Sequence, residues 1–460
     1  MQPRQPHLKR HLMRLRNSPF AAHVAHLGTG ALAAHLITLA ASPVLARLFT
    51  PEEFGLFSLF HSLVTLLSLL ATGTYEYAIV LPRDDRTAKS IVRLTTLTST
   101  SFSALLFLGL MAFAFGKGEL FGLQTRFLLL LPLGVLTHAG LNISTNWLIR
   151  RASFKRMSAA KMAQSLSMGG VQIGAGLVGW TGAGLLAGYI AGRMIFIAGA
   201  FTRRGGERHG LTTGWRKRAR NSDSERSTEP STEPSTEPST DHSTFSSGIR
   251  HAARLYRDHP RFVLLSSLLS AASIELPVLM ITSLFGNAEL GHYGLAFRVL
   301  MAPVTLIGTS VGHVFFKRFS QRKTEGQPLS QFLLQIWGVL ALLAVLPFGA
   351  LFLFGEPVFA GIFGEEWRLS GQVASIMAPM LAFTFLIQPT SKSMLVLDKQ
   401  RWMPLFSVLS LGIRFAALIT GAIYFDFLTA LWLMVGGQIL SYLIHSGFVL
   451  LWSVRFDNTI

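Results

Sequence analysis

A chain of 460 residues that is 50% hydrophobic, carries a formal net charge of +18 and holds no cysteine excludes several classes at once. Disulfide scaffolds, thiolate chemistry and sulfur-ligated zinc sites are ruled out. The positive charge alone would point to nucleic acid, but most of it lies in the gaps between long apolar runs.

A helix crossing a bilayer needs roughly 20 mostly apolar residues. Such runs lie near 20–46, 54–80, 90–115, 126–149, 158–180, 182–201, 260–285, 290–316, 330–354, 370–396, 402–424 and 427–453. The first is too long for a cleaved signal peptide. The runs lack the alternating pattern of barrel strands, so they predict helices. The expected fold class is an all-α polytopic membrane protein, with about 12 transmembrane helices in two six-helix bundles around a central cleft.

The charges orient these helices. Of the 41 Lys and Arg residues, thirty-three lie in the N-terminal segment, in every second gap and in the tail. Four lie in the other gaps: Arg47, Lys117, Arg126 and Arg368. Basic loops stay cytoplasmic, so both termini are expected there. Topology thereby accounts for the charge, and no nucleic-acid partner is expected. Contact between the basic stretches and anionic membrane lipids is expected.

Residues 202–258 break the pattern. Ser227 to Thr240 reads STEPSTEPSTEPST, a tract too polar to build a core. Phe245 to Tyr256 predicts an amphipathic surface helix. The expected organisation is a basic N-terminus (1–19), a six-helix bundle (20–201), the tether (202–258), a second six-helix bundle (259–453) and a tail (454–460). An even number of helices per half permits a parallel internal repeat. An echo supports one: Leu48-Phe49 precedes Glu52, Glu53 and Gly55, and Leu284-Phe285 precedes Glu289 and Gly291. Two facing bundles suggest transport by rocking. The gap at 355–369 is too short for the external domain of a membrane glycan ligase or polymerase, and the tether has no nucleotide-binding glycine loop. No enzymatic activity is expected.

The segment from Arg47 through Phe57, followed by Gly73-Thr74-Tyr75-Glu76-Tyr77-Ala78-Ile79-Val80-Leu81-Pro82-Arg83-Asp84-Asp85, closely resembles Wzx-type polysaccharide flippases. These belong to the multidrug/oligosaccharidyl-lipid/polysaccharide exporter superfamily. Phe285 through Val299, with Gly291-His292-Tyr293-Gly294, and Ile362 through Trp367 are similar to later segments of that family. The STEP repeat departs from it, within the variable central loop. The resemblance implies movement of an undecaprenyl-diphosphate-linked oligosaccharide from the cytoplasmic to the outer leaflet, for O-antigen, capsule or exopolysaccharide assembly. It implies glycan polymerase and glycosyltransferases as partners. A cation-coupled drug exporter of the same superfamily is the alternative, and would favour acids inside the membrane over cations.

Four cations fall inside apolar runs: Arg193, Arg298, Lys392 and Arg414. Charges there mark function by default, and Arg suits phosphate through bidentate hydrogen bonds. All four are candidate cleft cations for the diphosphate, although Lys392 lies close enough to a helix end to reach the interface. Glu275 and Arg298 flank the turn between helices seven and eight at similar distances, so an ion pair between them is expected. Glu76 is carried over from the matched segment as an inner-gate or coupling acid, or as a partner of Arg83. Arg47 and Arg83 are candidate gate residues. No cofactor and no metal site is expected, and coupling to a proton or sodium gradient remains open. Gly184, Gly188 and Gly192 predict close helix packing, as do Gly170 and Gly174.

Overall fold

The computed structural model describes residues 19–82, 84–114, 119–120, 123–180, 182–202, 242–257 and 259–459. Twelve long helices account for most of them. The first half holds α1 (Pro19–Leu48), α2 (Pro51–Thr72), α3 (Asp85–Ala114), α4 (Leu131–Arg150), α5 (Phe154–Leu177) and α6 (Ala183–Phe201). The second holds α7 (Leu264–Leu284), α8 (Asn287–Thr324), α9 (Ser330–Phe363), α10 (Arg368–Ile387), α11 (Met403–Tyr424) and α12 (Phe427–Asp457). Among the described residues the one sheet is a two-residue antiparallel pairing, Glu119–Leu120 with Leu123–Gln124.

Among the described residues, nine spans are long and apolar enough to cross a membrane by length and composition. Helices α4 and α5 fall short because they carry Thr, Asn, Ser, Gln and Lys at many positions. In α1 the described side chains form a shorter apolar stretch, Leu32–Leu48. Helix α8, with 38 residues, is about 57 Å long at 1.5 Å per residue. It exceeds a hydrocarbon core of about 30 Å, and its far end carries Lys317, Arg318, Arg322 and Lys323.

Local sequence sets the helix ends. Thr50 and Glu53 close a capping box over the start of α2: the Thr50 N–H donates to Glu53 Oε2 at 2.9 Å, and Thr50 Oγ1 accepts from the Glu53 N–H. Gly73, at φ 56°, ends α2 earlier than the apolar run to residue 80 predicts. The left-handed conformation that stops the helix is cheap for glycine. Tyr75–Val80 continue as a 3-10 turn.

The halves meet at the end away from the basic loops. There Gly55 of α2 faces the Asn287 carbonyl, and Gly291 of α8 faces the Pro51 carbonyl. A Cβ at Gly55 would lie 1.8 Å from the Asn287 oxygen, and one at Gly291 1.7 Å from the Pro51 oxygen. These reciprocal contacts use the two glycines of the internal echo. Beside them the Trp367 indole N–H donates to the Ala46 carbonyl at 2.7 Å, with Phe54 edge-on to its ring. One apolar core runs through both halves at this end, joining Leu45, Phe54 and Phe60 to Leu290, Trp367 and Leu431. At the basic end the apolar clusters are separate. In the first half Ile79, Ile91 and Ile143 pack with Ala252 of a surface helix, His242–Leu255. In the second half Phe315, Phe319, Leu333 and Val449 form their own cluster. The cleft between the halves is thus closed at one end and divided at the other.

Glycine packing follows the expectation on α6 and, on α5, at Gly176 against Leu48 but not at Gly170 and Gly174. A Cβ at Gly184, Gly188 or Gly192 would come within 3 Å of α5 atoms, whereas Gly170 and Gly174 face open space. The STEP repeat lies outside the described residues.

Candidate functional site

A cavity of 380 Å³ lies between the halves, lined by His61, Tyr189 and Arg193 on one side and by Glu275, Tyr293 and Arg298 on the other. Helix α6 delivers Arg193 one turn after Tyr189, so that its guanidinium lies over the Tyr189 ring, 3.6 Å from the centroid. His61 Nδ1 and the Tyr189 hydroxyl lie 3.0 Å apart, and Phe57 and Phe60 meet the Tyr189 ring edge-on. Arg193 is 6% exposed, and its Nε and Nη1 have no hydrogen-bond partner among the described residues. Across the cavity, the Arg298 guanidinium lies 5.6 Å from the Phe57 ring centroid, and its Nη1 is likewise buried and unpartnered. Buried arginine donors without acceptors are costly, and two arginines lining one cavity are the chemistry that suits an anion.

The expected ion pair between Glu275 and Arg298 does not form: the two line the same cavity without meeting as an ion pair. Glu275 is held instead through its main chain, whose carbonyl accepts from the Ser62 hydroxyl at 3.2 Å. Similar depth on neighbouring helices fixed the height of the two side chains but not the direction each points.

Arg414 sits elsewhere. It lines a second chamber of 610 Å³ enclosed by α7, α8, α10, α11 and α12. Its Nε donates to Gln438 Oε1 and its Nη1 to the Ser273 carbonyl. Pro277 is the cause: a proline has no N–H to give the carbonyl four residues earlier, which in α7 is that of Ser273. The two cavities share Ile274, Tyr293, Phe297 and Met301 in their walls. A further chamber of 410 Å³, lined by Ser68, Tyr77, His138 and Ser270, extends the cleft to the turn at the basic end. Another, of 440 Å³, lies between α1, α5 and α8 and includes His35, Lys161 and Arg298.

The remaining candidates lie apart. Lys392 is exposed beyond α10, 6.0 Å from the Phe316 ring centroid, and lines none of these cavities. Arg47 is exposed at the end of α1, next to the residue that Trp367 holds. Arg83 lies outside the described residues. Glu76 is fully buried in the 3-10 turn at the basic end, with neither carboxylate oxygen hydrogen-bonded among the described residues. No cluster of three His, Asp or Glu side chains occurs among the described residues. Lys161 counts with a basic loop in the sequence, yet it lies two turns inside α5 and lines a cavity. Tyr189, His61 and Gln438 also carry the geometry without any sequence signal that separates them from other polar residues in apolar helices.

The chain is 23% identical over 340 residues to the succinoglycan biosynthesis transport protein ExoT of Rhizobium meliloti strain 1021, covering 73% of this chain and 61% of that one. It is 25% identical over 134 residues to the teichuronic acid biosynthesis protein TuaB of Bacillus subtilis strain 168, covering 29% and 28%. The chain thus spans less than two thirds of the length of these relatives. Among solved structures, it is similar to the lipid II flippase MurJ in an inward closed conformation, with a TM-score of 0.63 at 11% identity over 94% of this chain and 89% of that one. It is also similar to an inward-facing multidrug resistance MATE transporter of the MOP superfamily, with a TM-score of 0.59 at 14% identity over 93% and 96%. Both likenesses concern the fold. A family profile described as "Polysaccharide biosynthesis protein" matches residues 44–205 and 258–372, more than half of the chain, and the chain belongs to that family.

Proposed function

We propose that the protein flips an undecaprenyl-diphosphate-linked oligosaccharide from the cytoplasmic to the outer leaflet of a bacterial inner membrane by alternating access, supplying O-antigen, capsule or exopolysaccharide assembly. One observation carries this reading: Arg193 and Arg298, on opposite halves, both line one cavity, and each keeps a buried guanidinium N–H group without a partner among the described residues. A diphosphate crossing hydrocarbon needs fixed cations, because an unpaired buried charge is prohibitive. Placing one cation on each half lets a bound anion bridge the halves and follow their motion.

The state of the cleft agrees with substrate entry from the basic end, which the charge rule makes cytoplasmic. Across the four cavities the charged lining residues are Lys161, Arg193, Arg298 and Arg414 against the single acid Glu275. A carrier of cationic drugs would invert that balance.

The test uses the full chain in vesicles with a fluorescent undecaprenyl-diphosphate disaccharide. Losing one charged hydrogen-bond donor costs about 1.5–3 kcal/mol. Arg193→Gln and Arg298→Gln are each expected to slow flipping by roughly tenfold to a hundredfold, with unchanged helical content. Undiminished rates in both variants would sink the reading.

A further inference from the structure

We propose that the chamber enclosed by the second half is the saccharide subsite, and that Arg414 makes it selective for a glycan bearing an acidic sugar. The inference rests on the flippase reading and goes beyond it by assigning the headgroup a place and a charge. The chamber is the largest of the four cavities, at 610 Å³, within the roughly 300–1,000 Å³ of small-molecule sites. It adjoins the central cavity, with Tyr293, Phe297 and Met301 lining both. A molecule holding its diphosphate at Arg193 and Arg298 therefore has this chamber beside its headgroup.

The lining suits a sugar. A pyranose ring has apolar C–H faces and a rim of hydroxyls. The chamber pairs aromatic walls, Tyr293 and Phe297, with hydroxyl and amide groups drawn from separate helices, among them Ser270, Thr384 and Gln388. Gln388 Oε1 is buried beside Gly308 with no hydrogen-bond partner among the described residues. An acyl chain would leave such groups unsatisfied.

Arg414 supplies the charge. A guanidinium has five N–H donors in a fixed fork. Two hold Gln438 and the carbonyl that Pro277 leaves free, which locks the plane and leaves three donors. No carboxylate pairs with Arg414 among the described residues, and no acid lines the chamber. A buried-edge cation fixed by neutral partners and facing hydroxyl-rich space is arranged for an anionic ligand. The chemistry is shared by a carboxylate, as on a hexuronic acid, and a sugar phosphate.

The experiment compares two undecaprenyl-diphosphate disaccharides in vesicles, one ending in glucuronate and one in glucose, with a glucose-6-phosphate-ended third to separate the two anions. Arg414→Gln should slow the anionic substrates about tenfold or more, the effect of one charged hydrogen bond, while the glucose-ended one changes less than about twofold. Arg414→Lys should restore most of the loss, and Arg298→Gln should slow all three alike. Equal slowing of all three by Arg414→Gln would make Arg414 a structural or diphosphate residue and overturn the proposal, as would no effect on any. A second measurement stands apart from transport. The native chain has no cysteine, so Ser407→Cys in the chamber wall places a single thiol there. Soluble cellobiuronic acid should protect that thiol from a methanethiosulfonate reagent, cellobiose should protect it less, and Arg414→Gln should erase the difference. If the wild type flips none of the lipids yet the protection holds, the flippase reading fails and the saccharide chamber stands. If flipping is intact and no sugar protects the thiol, the chamber proposal fails alone.

Discussion

Tyr189 shows how one side chain organises a charge. Its ring carries the Arg193 guanidinium, its hydroxyl meets His61, and two phenylalanines fix it from the side. Tyr189→Phe keeps the ring and loses one hydrogen bond, about 1 kcal/mol, so flipping of the fluorescent lipid should fall roughly fivefold. Tyr189→Leu removes the platform, worth about 2 kcal/mol when desolvated, and should approach the loss seen in Arg193→Gln. Equal rates for Tyr189→Leu and wild type would show that Arg193 needs no platform. The sequence singled out Arg193, Arg298 and Arg414, because a cation deep in an apolar run is rare, and all three line cavities. Their grouping was not. Arg298 turns to Phe57 rather than to Glu275, and Arg414 is drawn aside by the carbonyl left free at Pro277. Side-chain direction depends on neighbours that are remote in sequence, and spacing along the chain does not carry it.

At the level of elements, apolar run length and basic gaps were enough to place the helices, and the Leu-Phe…Gly echo marked where the halves meet. The glycine terminating α2 at residue 73 was also present in the sequence, hidden within a run whose hydropathy continues to residue 80. The contact of α2 with α8 yields its own prediction. At Gly55 and Gly291 an added methyl would overlap backbone oxygen, which cannot swing aside as a side chain can. Gly55→Ala and Gly291→Ala should hold the cleft open at the end away from the basic loops. Single cysteines at Ser58 and Thr282 should then react faster with a membrane-impermeant reagent added outside, by roughly tenfold if the closed state loses about 1.4 kcal/mol. Gly436→Ala, which meets nothing within 4 Å, is the control. Unchanged reactivity in the Gly55 and Gly291 variants would show that this end closes without the backbone contact.

For the molecule as a whole, the proposed transport links direction and driving force through charge. A diphosphate leaving an inside-negative compartment gains about 2.3 kcal/mol per charge per 100 mV. Imposing such a potential across vesicles should therefore raise outward flipping, and collapsing it should lower the final extent. A proton or sodium gradient without a potential separates ion coupling, for which Glu275 and Glu76 are the candidate acids, from this purely electrical gain. No response to either would mean equilibration alone. The closed end of the cleft bears on how such energy is used. Gly55 on the Asn287 carbonyl and Gly291 on the Pro51 carbonyl form an isologous contact, the same patch meeting its own copy as in a two-fold dimer. Sliding the halves along one another would relieve one of these contacts by driving the other into overlap. In the proposed alternating-access cycle, the two contacts would part together, each half releasing one glycine and one carbonyl, so that this end would unlatch as a single unit.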